Sequence, residues 1–336
     1  MINSKYKYYR QILKRQNEIE IYNHILDGLS NYNKNIFIEK SLIDSQTTSL
    51  TDILDYVFLD NPGMFFVDTS ITWFTYGQDE VEITFIFHYE NEEIIKLENK
   101  INNIVRSIIK IGEQANLSSK YEWELYLHDF LADKVDYEKG DLSYHKVHSV
   151  IGPLLFNRSV CEGYAKAFKL LCDAVNLPCI ILHGIADDKK TSENHAWNMV
   201  RIDKKYYHVD TTWDSCNKNN GHVNHKLLNV TDYDIGKDHI WDRKMVPQCN
   251  SQFHNYYVMN KSYFKNTNQG AAYINSMLGK GIKNISLRLE KCDYSYKELE
   301  TMIKNGADPV LLNGYNGYRY VYSHDDKRGV INIQFK

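Results

Sequence analysis

The clearest hydrophobic pattern in the chain follows residue 160. Apolar side chains recur there at offsets of three and four, the spacing of one face of an α-helix. The positions are Cys161, Tyr164, Ala165, Phe168, Leu171, Cys172 and Val175. The pattern stops at Asn176-Leu177-Pro178, where proline cannot continue a helix. An amphipathic helix is therefore predicted from about residue 161 to 175, with Cys161 at the accessible end of its buried face.

Three β-strands are predicted directly after this helix. The run 179–186 is continuously apolar and typical of a buried strand, and 195–202 and 206–212 are separated by a tight turn at Asp203-Lys204. In that register Ile202 pairs with Lys205, which places His195 opposite Thr212. Asp210 then lies two residues along on the same face, as a diagonal neighbour of His195.

The flanking regions have the patterns of short helices and strands that are expected of small α+β modules. The segment 1–45 is polar and helical, with helices at 52–59 and 92–111 and a hairpin around Gly77 formed by 64–73 and 80–89. The C-terminal part reads as a strand at 284–290, a helix at 296–305 ended by Gly306, and a hairpin of 318–322 and 329–335. Three units follow: 1–116, 117–268 and 269–336.

Composition narrows the function classes. The chain has 336 residues, a formal net charge of −3 and an isoelectric point near 6.5, so neither nucleic acid nor an anionic membrane is an expected partner. It has no apolar run of transmembrane length, and its first 22 residues lack the apolar core of a signal peptide. The sequence as written indicates a cytoplasmic protein, or a secreted or cell-surface one if a leader was trimmed. The oligomeric state is left open.

Cys161 has the setting of a reactive thiol. Ser159 and Glu162 have the spacing of a capping box, with Ser159 as the N-cap and Cys161 as the second helical residue. Free amides and the positive end of the helix dipole favour a thiolate there. With His195 and Asp210 it makes a candidate Cys-His-Asp triad. The alternatives are a small buried cysteine, a structural histidine and a turn-forming aspartate.

The other cysteines and histidines carry weaker signals. No CxxC pair is present, which argues against a structural zinc site, and no metal or cofactor is expected. Cys172 and Cys179 are predicted to be reduced core residues, whereas disulfides among Cys216, Cys249 and Cys292 stay open for a secreted protein. The histidines of the loop-rich stretch are predicted to lie on the surface, without a metal. These are His222, His225 and His239.

The segments SVCEGYAKAFKLLCDAVNLPC, ENHAWNMVRIDKKYYHVDTTWD and HSVIGPLLFN resemble the core of bacterial transglutaminase-like proteins. The resemblance runs from about Tyr121 to Phe264. It implies an α+β, papain-like core in which a helix bearing the cysteine packs on an antiparallel sheet, with small α+β modules flanking it. It also implies catalytic roles for Cys161, His195 and Asp210 in this order. The oxyanion-hole side chain that many relatives place before the cysteine is not identified in this sequence, so the Cys161 backbone N–H is one predicted donor and the second is unassigned.

The expected chemistry is acyl transfer through a thioester at Cys161, on a peptide or protein substrate. Transfer to water makes the protein a peptidase or amidase, and transfer to a lysine amine makes it a transglutaminase; hydrolysis is preferred because it needs no built acceptor site. A non-catalytic binding or scaffolding protein on the same fold is the further alternative. Tyr164, Trp197 and Trp213 are predicted as a cleft wall, although packing is an equal explanation for the two tryptophans.

Overall fold

The computed structural model describes residues 5–43, 49–140, 144–187, 191–216, 223–311 and 317–336. The N-terminal region forms α1 (Tyr8–Ile12), α2 (Gln16–Ser30), β1 (Asn35–Glu39), α3 (Leu50–Asp60), β2 (Val67–Tyr76), β3 (Glu80–Phe87) and α4 (Asn91–Gln114). The three strands make an antiparallel sheet in the order β1-β3-β2. The predicted hairpin and the two predicted helices are confirmed. β1 was missed because only Ile36 and Ile38 of its five residues are buried.

The central region carries the cysteine. Its elements are α5 (Lys120–Lys134), β4 (Asp136–Tyr137), β5 (Arg158–Ser159), α6 (Cys161–Ala174), β6 (Cys179–Asp187), β7 (Ser192–Ile202), β8 (Lys205–Val209), α7 (Thr211–Cys216), β9 (Leu228–Val230), α8 (Asp232–Ile235), β10 (His239–Ile240) and α9 (Tyr256–Met259). A five-stranded antiparallel sheet runs in the order β10-β6-β7-β8-β9, and α6 packs on β6 and β7. This confirms the predicted α+β, papain-like core.

Helix α6 is buried on more sides than its apolar stripe predicts. Tyr164, Phe168 and Leu171 are fully buried on the predicted face. Lys169 is also fully buried, and its ammonium group lies 3.3 Å from the Asp173 carboxylate. One continuous apolar cluster joins α6 to helices and strands of the N-terminal region, from Ile21 onwards. The N-terminal region thus packs against the back of the cysteine-bearing helix.

The β7–β8 hairpin confirms part of the predicted register. Asp203 and Lys204 have φ of 47° and 65°, as a two-residue hairpin turn with both central residues left-handed requires, and Ile202 pairs with Lys205. The predicted pairing of His195 with Thr212 is wrong, because β8 ends at Val209 and Thr212 lies in α7. Asp210 ends the strand by capping this helix.

The C-terminal part forms β11 (Tyr263–Phe264), α10 (Thr267–Gly279), β12 (Asn284–Leu289), α11 (Tyr296–Leu311), β13 (Tyr320–Asp325) and β14 (Val330–Phe335). Its four-stranded sheet, in the order β11-β12-β14-β13, packs with α10 and α11 around a separate apolar cluster. We call residues 263–336 the C-terminal module. Gly306 was predicted to end a helix, but α11 continues past it. A Cβ at Gly306 would lie 2.6 Å from the Ala271 carbonyl oxygen, so this glycine allows α10 and α11 to approach.

The strand and the hairpin predicted here are confirmed, whereas α10 was not predicted. Within the described ranges, no helix combines the length and apolar character that crossing a membrane requires.

Candidate active site

Cys161 is the first residue of α6, and the predicted capping box is wrong. Val160 is the N-cap residue, with extended backbone. Ser159 is fully buried in β5 and its hydroxyl donates to the Val147 carbonyl oxygen at 3.0 Å, so it is turned away from the helix amides. The first intrahelical bond runs from Tyr164 N–H to Val160 O, at 3.1 Å. Cys161 therefore still lies among the first-turn amides at the positive end of the helix.

The side chains around Cys161 fix the start of the helix in other ways. Glu162 lies 2.6 Å from the Lys166 ammonium group and 3.0 Å from His148 Nδ1. Burial alone would raise the pKa of Glu162, but Lys166 and His148 hold it well below its usual range. At Gly163 a Cβ would clash with the Ser159 hydroxyl and with the carbonyl oxygen of Val147. The glycine therefore lets the segment preceding Cys161 lie directly on the first turn of α6.

His195 and Asp210 form a buried hydrogen-bonded pair. His195 Nε2 lies 2.9 Å from Asp210 Oδ2, and the side chains are 6% and 0% exposed. His195 is also close enough to the Cys161 side chain for the sulfur to contribute to raising the pKa of the imidazole. Because Nε2 is occupied by Asp210, Nδ1 is the ring nitrogen left for the sulfur. The structure thus brings together all three residues of the predicted triad.

The charges of this group favour a protonated imidazole. Burial lowers the pKa of His195, but the Asp210 charge, the bond to that carboxylate and Cys161 together raise it to about 10. For Asp210, burial acts to raise the pKa, and the neighbouring histidines hold it below its usual range. At neutral pH His195 is therefore an imidazolium held beside the sulfur, which is the arrangement that stabilises a thiolate.

Asp210 has a second histidine partner, which sequence reasoning missed. His239 was predicted to lie on the surface, but it is 1% exposed and its Nε2 lies 3.1 Å from Asp210 Oδ2. The other carboxylate oxygen, Oδ1, accepts the backbone N–H of Trp213 at 3.1 Å, which caps α7. The one sequence signal for His239 was the apolar Ile240-Trp241 pair beside it, which predicts an edge strand rather than a loop.

The predicted cleft wall needs correction. The Trp197 ring is buried and lies nearly parallel to the His195 ring, with centroids 5.9 Å apart, and its Nε1 donates to His208 Nδ1 at 3.1 Å. Tyr164 is fully buried and its hydroxyl donates to the Val135 carbonyl oxygen at 2.6 Å. Neither residue faces solvent, because the core takes up both rings. Trp213 is half-buried, with its ring centroid 6.0 Å from that of His195, and it stays a candidate for the wall.

Other predictions about cysteines and histidines have mixed outcomes. Cys172 and Cys179 are buried free thiols, as predicted. Cys249 and Cys292 are free, so they are not bridged to each other, and the side chain of Cys216 lies outside the described residues, as does His222. His225 was predicted to be exposed but is 8% exposed, because its Nε2 is bonded to Asp129 at 2.8 Å.

Three clusters within the described ranges have the side-chain types that metals bind. They are His128-Asp129-His225, His195-Asp210-His239 and His208-Asp232-Cys249, each with its potential ligand atoms within 4.8 Å of one another. The histidine–carboxylate distances in these clusters are 2.8–3.1 Å, which are hydrogen-bond lengths. With zinc bonds of about 2.0–2.2 Å, two ligand atoms of a tetrahedral site would instead lie about 3.3–3.6 Å apart. Hydrogen bonding thus accounts for the observed geometry, and the expected lack of a metal stays a prediction.

A cavity of about 520 Å³ opens beside the first turn of α6. Glu162, Lys166 and His148 form one side of it, and Asp68 and His88 of the N-terminal region form the other. A larger cavity of about 800 Å³ lies between the central region and the C-terminal module, and no triad residue lines it. The smaller cavity is therefore the one that borders the residue next to Cys161.

Comparison with known proteins agrees with this geometry. The family described as the transglutaminase-like superfamily matches residues 110–211, a range that contains Cys161, His195 and Asp210. This part of the chain is therefore similar to the transglutaminase-like superfamily. No curated protein sequence matches the chain.

Several solved structures are similar over part of the chain. One is a transglutaminase (TGase), at 14% identity and a TM-score of 0.31, covering 53% of this chain and 50% of that one. A Cytophaga hutchinsonii protein provisionally named as a cysteine protease has 16% identity and a TM-score of 0.29, covering 40% and 52%. Menin, whose structure is described with its binding site for the Mixed Lineage Leukemia protein, has 14% identity and a TM-score of 0.28, covering 69% and 50%. The chain spans about half the length of each, and no functional argument rests on these likenesses.

Proposed function

We propose that this protein is a cysteine-dependent acyl transferase that acts on amide bonds of peptides or of glutamine side chains, with water as the usual acceptor. The observation that carries the proposal is the buried His195–Asp210 pair, 2.9 Å apart, with His195 close enough to interact electrostatically with the sulfur at the start of α6. A cysteine that only fills the core and a histidine that is only structural would not need to lie together with a buried carboxylate in this way.

The reaction follows from the positions of the three side chains. The Cys161 thiolate attacks the amide carbonyl carbon, and the Cys161 N–H is the predicted donor to the oxyanion. His195 donates its Nδ1 proton to the departing nitrogen as the carbon–nitrogen bond breaks, which leaves a thioester. Water then loses a proton to His195 and adds to the thioester carbon. Collapse of this intermediate releases the carboxylic acid and regenerates the thiolate–imidazolium pair.

The choice of acceptor decides between hydrolysis and transamidation. Hydrolysis requires only that water reach the thioester, and Cys161 is partly exposed. A lysine acceptor would need a site that binds an amine and keeps water out. The half-buried Trp213 is the candidate for such a wall, but one ring does not enclose the sulfur. We therefore prefer hydrolysis, and a protein-glutamine transglutaminase is the second outcome that the experiment must distinguish.

The test combines a thiol probe with a substrate library. Iodoacetamide should label Cys161 faster than Cys292, the other described cysteine that is partly exposed. A mixed peptide library with a fluorescent primary amine should then show new peptide termini or deamidated glutamine, analysed by mass spectrometry. Cys161→Ala and His195→Ala should abolish turnover, and Cys292→Ala is the matched control that should leave it unchanged.

Each result has a defined meaning. Incorporation of the fluorescent amine in excess of hydrolysis would replace the peptidase or amidase proposal with transamidation. Turnover that survives Cys161→Ala, or that is lost on chelation and restored by zinc, would contradict the cysteine mechanism. A Cys161 that reacts no faster than Cys292, together with no turnover of the library, would favour a binding or scaffolding role for this fold.

A further inference from the structure

A continuous chain of buried hydrogen bonds links the triad carboxylate to the C-terminal module. It runs from Asp210 to His239, from His239 to Asp238, and from Asp238 to Arg328. We propose that the C-terminal module positions the catalytic carboxylate through Arg328, which fixes Asp238 and thereby His239. The inference rests on the proposed function of the triad and adds His239, Asp238 and Arg328 to it as positioning residues.

His239 is held from both sides. Its Nε2 lies 3.1 Å from Asp210 Oδ2 and its Nδ1 lies 2.8 Å from Asp238 Oδ1. Each ring nitrogen of His239 thus faces an oxygen of a buried carboxylate. The ring therefore cannot rotate without losing one bond to a buried charge. Asp210 Oδ2 is shared between His195 and this second, fixed imidazole, so the orientation of His239 limits how Asp210 can turn.

Strand β10 is placed so that this contact can form. His239 pairs with Ala186 of β6, and Ile240 pairs with Ile185. Gly184 lies opposite His195 on the other side of β6, and a Cβ there would clash with the Ile240 carbonyl oxygen and lie 2.7 Å from the Trp197 ring. Because Gly184 has no side chain, β10 can pair with β6 at the edge of the sheet beside the triad.

Arg328 is the anchor at the other end. Its side chain is 1% exposed, and its Nη1 donates to Asp238 Oδ2 at 2.9 Å while its Nη2 contacts Asp238 Oδ1, a two-pronged pair. Arg328 lies in the turn between β13 and β14. Asp325 holds that turn by accepting the Arg328 N–H at 3.0 Å, and Lys327 Nζ adds a contact to Asp238 at 3.2 Å. The C-terminal module thus supplies the cations that neutralise Asp238.

A second buried bridge supplies a matched comparison. Arg288 of β12 donates to Asp234 of α8 at 2.9 Å, and both side chains are nearly buried. This bridge also joins the C-terminal module to the central region. Among the described contacts, however, neither of its members bonds directly to Asp238, His239 or Asp210. It reaches Asp238 only by a longer route through Lys237 and Lys327. Loss of either bridge should weaken docking of the module, but only loss of the Arg328 bridge should disturb the triad.

The experiment compares Arg328→Met with Arg288→Met in the full chain. Four quantities are measured: the melting temperature, kcat and KM on the substrate identified above, and the pH at which the His195 ring titrates by NMR. For Arg328→Met we expect kcat to fall roughly 10- to 100-fold at similar KM. This is the range typical of losing an outer partner that orients a functional side chain. The His195 titration should move to lower pH. Arg288→Met should lower the melting temperature by a similar amount, but it should leave kcat and the His195 titration unchanged.

Two further variants keep the test decisive. Arg328→Met leaves the Asp238 charge buried without its partner, so the double variant Arg328→Met/Asp238→Asn, which buries no unpaired charge, is measured beside it. At position 239, His239→Leu should lower kcat, and His239→Gln should recover much of it because the amide can still donate to Asp210. Rescue of this kind is not expected from a residue that only fills space.

The outcomes separate the two proposals. Equal effects of the Arg328 and Arg288 variants on kcat and on the His195 titration, in proportion to lost stability, would overturn the positioning role. The NMR titration needs no substrate, so it decides this point even if the library shows no turnover. Lack of turnover together with slow alkylation of Cys161 in the unaltered protein would instead reject the proposed function.

Discussion

Replacing Asp210 with asparagine isolates the electrostatic role of the triad carboxylate. The substitution keeps the volume of the side chain and an oxygen that can cap α7, but it removes the charge 2.9 Å from His195 Nε2. His195 is buried, and burial by itself lowers its pKa. Without the opposing charge we therefore expect the pKa of His195 to fall and the ring to lose its proton at much lower pH. The positive charge of His195 beside the sulfur should then be lost.

The size of the effect follows from the geometry. Two unit charges about 4 Å apart interact by about 4 kcal/mol at an effective dielectric constant of about 20. At about 1.4 kcal/mol for each factor of ten, this corresponds to roughly a thousandfold change in the ratio of imidazolium to neutral imidazole at His195. The direction of the pH dependence is also defined. In the unaltered protein the pKa of His195 is about 10, so the imidazolium is lost only as pH rises through that value. In Asp210→Asn a decrease of about three units in this pKa should place the loss near pH 7.

NMR titration of the imidazole rings measures this directly, with His195→Ala used to assign the signal among the 13 histidines. The matched control is Asp232→Asn, which removes a carboxylate 2.9 Å from His208 Nε2 and leaves Asp210 in place. A His195 ring that titrates at the same pH in the unaltered protein and in Asp210→Asn would refute the reasoning. The alkaline limb of kcat/KM should move with the titration, because it reports the essential acid of the free enzyme.

Further predictions concern the packing and ionisation around the site. Burial raises the pKa of Glu124 to about 8 despite its 2.6 Å bond from Asn229, so the folded state keeps this proton longer than the unfolded chain does. Stability should then fall by about 1.4 kcal/mol per pH unit between about 4.5 and 8, and Glu124→Gln should unfold at higher denaturant than the unaltered protein at pH 9. Gly163→Ala should slow alkylation of Cys161 and lower the melting temperature, whereas Gly279→Ala, where a Cβ meets nothing within 4 Å, should do neither; equal behaviour would contradict the close-approach argument. Phe168→Ala removes a fully buried ring behind the cysteine and should cost about 3–5 kcal/mol in urea unfolding, and a loss below about 1 kcal/mol would show that the core beside α6 is loosely packed.

Local sequence determined the parts of this protein that depend on short-range patterns. The apolar stripe after residue 160 defines α6, and the turn at Asp203-Lys204 fixes Ile202 opposite Lys205. These two features, together with chain order, were enough to predict that His195 and Asp210 are neighbours. Periodicity and turn chemistry act over a few residues, so they can be seen in one sequence.

Tertiary structure decided the surroundings of those residues. Ser159 does not cap α6 because burial in β5 directs its hydroxyl to a carbonyl, and Tyr164 belongs to the core because its hydroxyl finds the Val135 carbonyl. Neither preference is visible in the residues next to them.

The same holds for the second partner of Asp210. His239 is 29 residues from Asp210, and Arg328 is 90 residues from Asp238. No periodic pattern relates positions so far apart, and in sequence each is a polar residue in a loop-rich stretch. Only the folded sheet and the docked C-terminal module bring them into one line of buried charges. Burying any one of these charges alone would cost folding free energy, whereas burying them together is compensated by the hydrogen bonds among them.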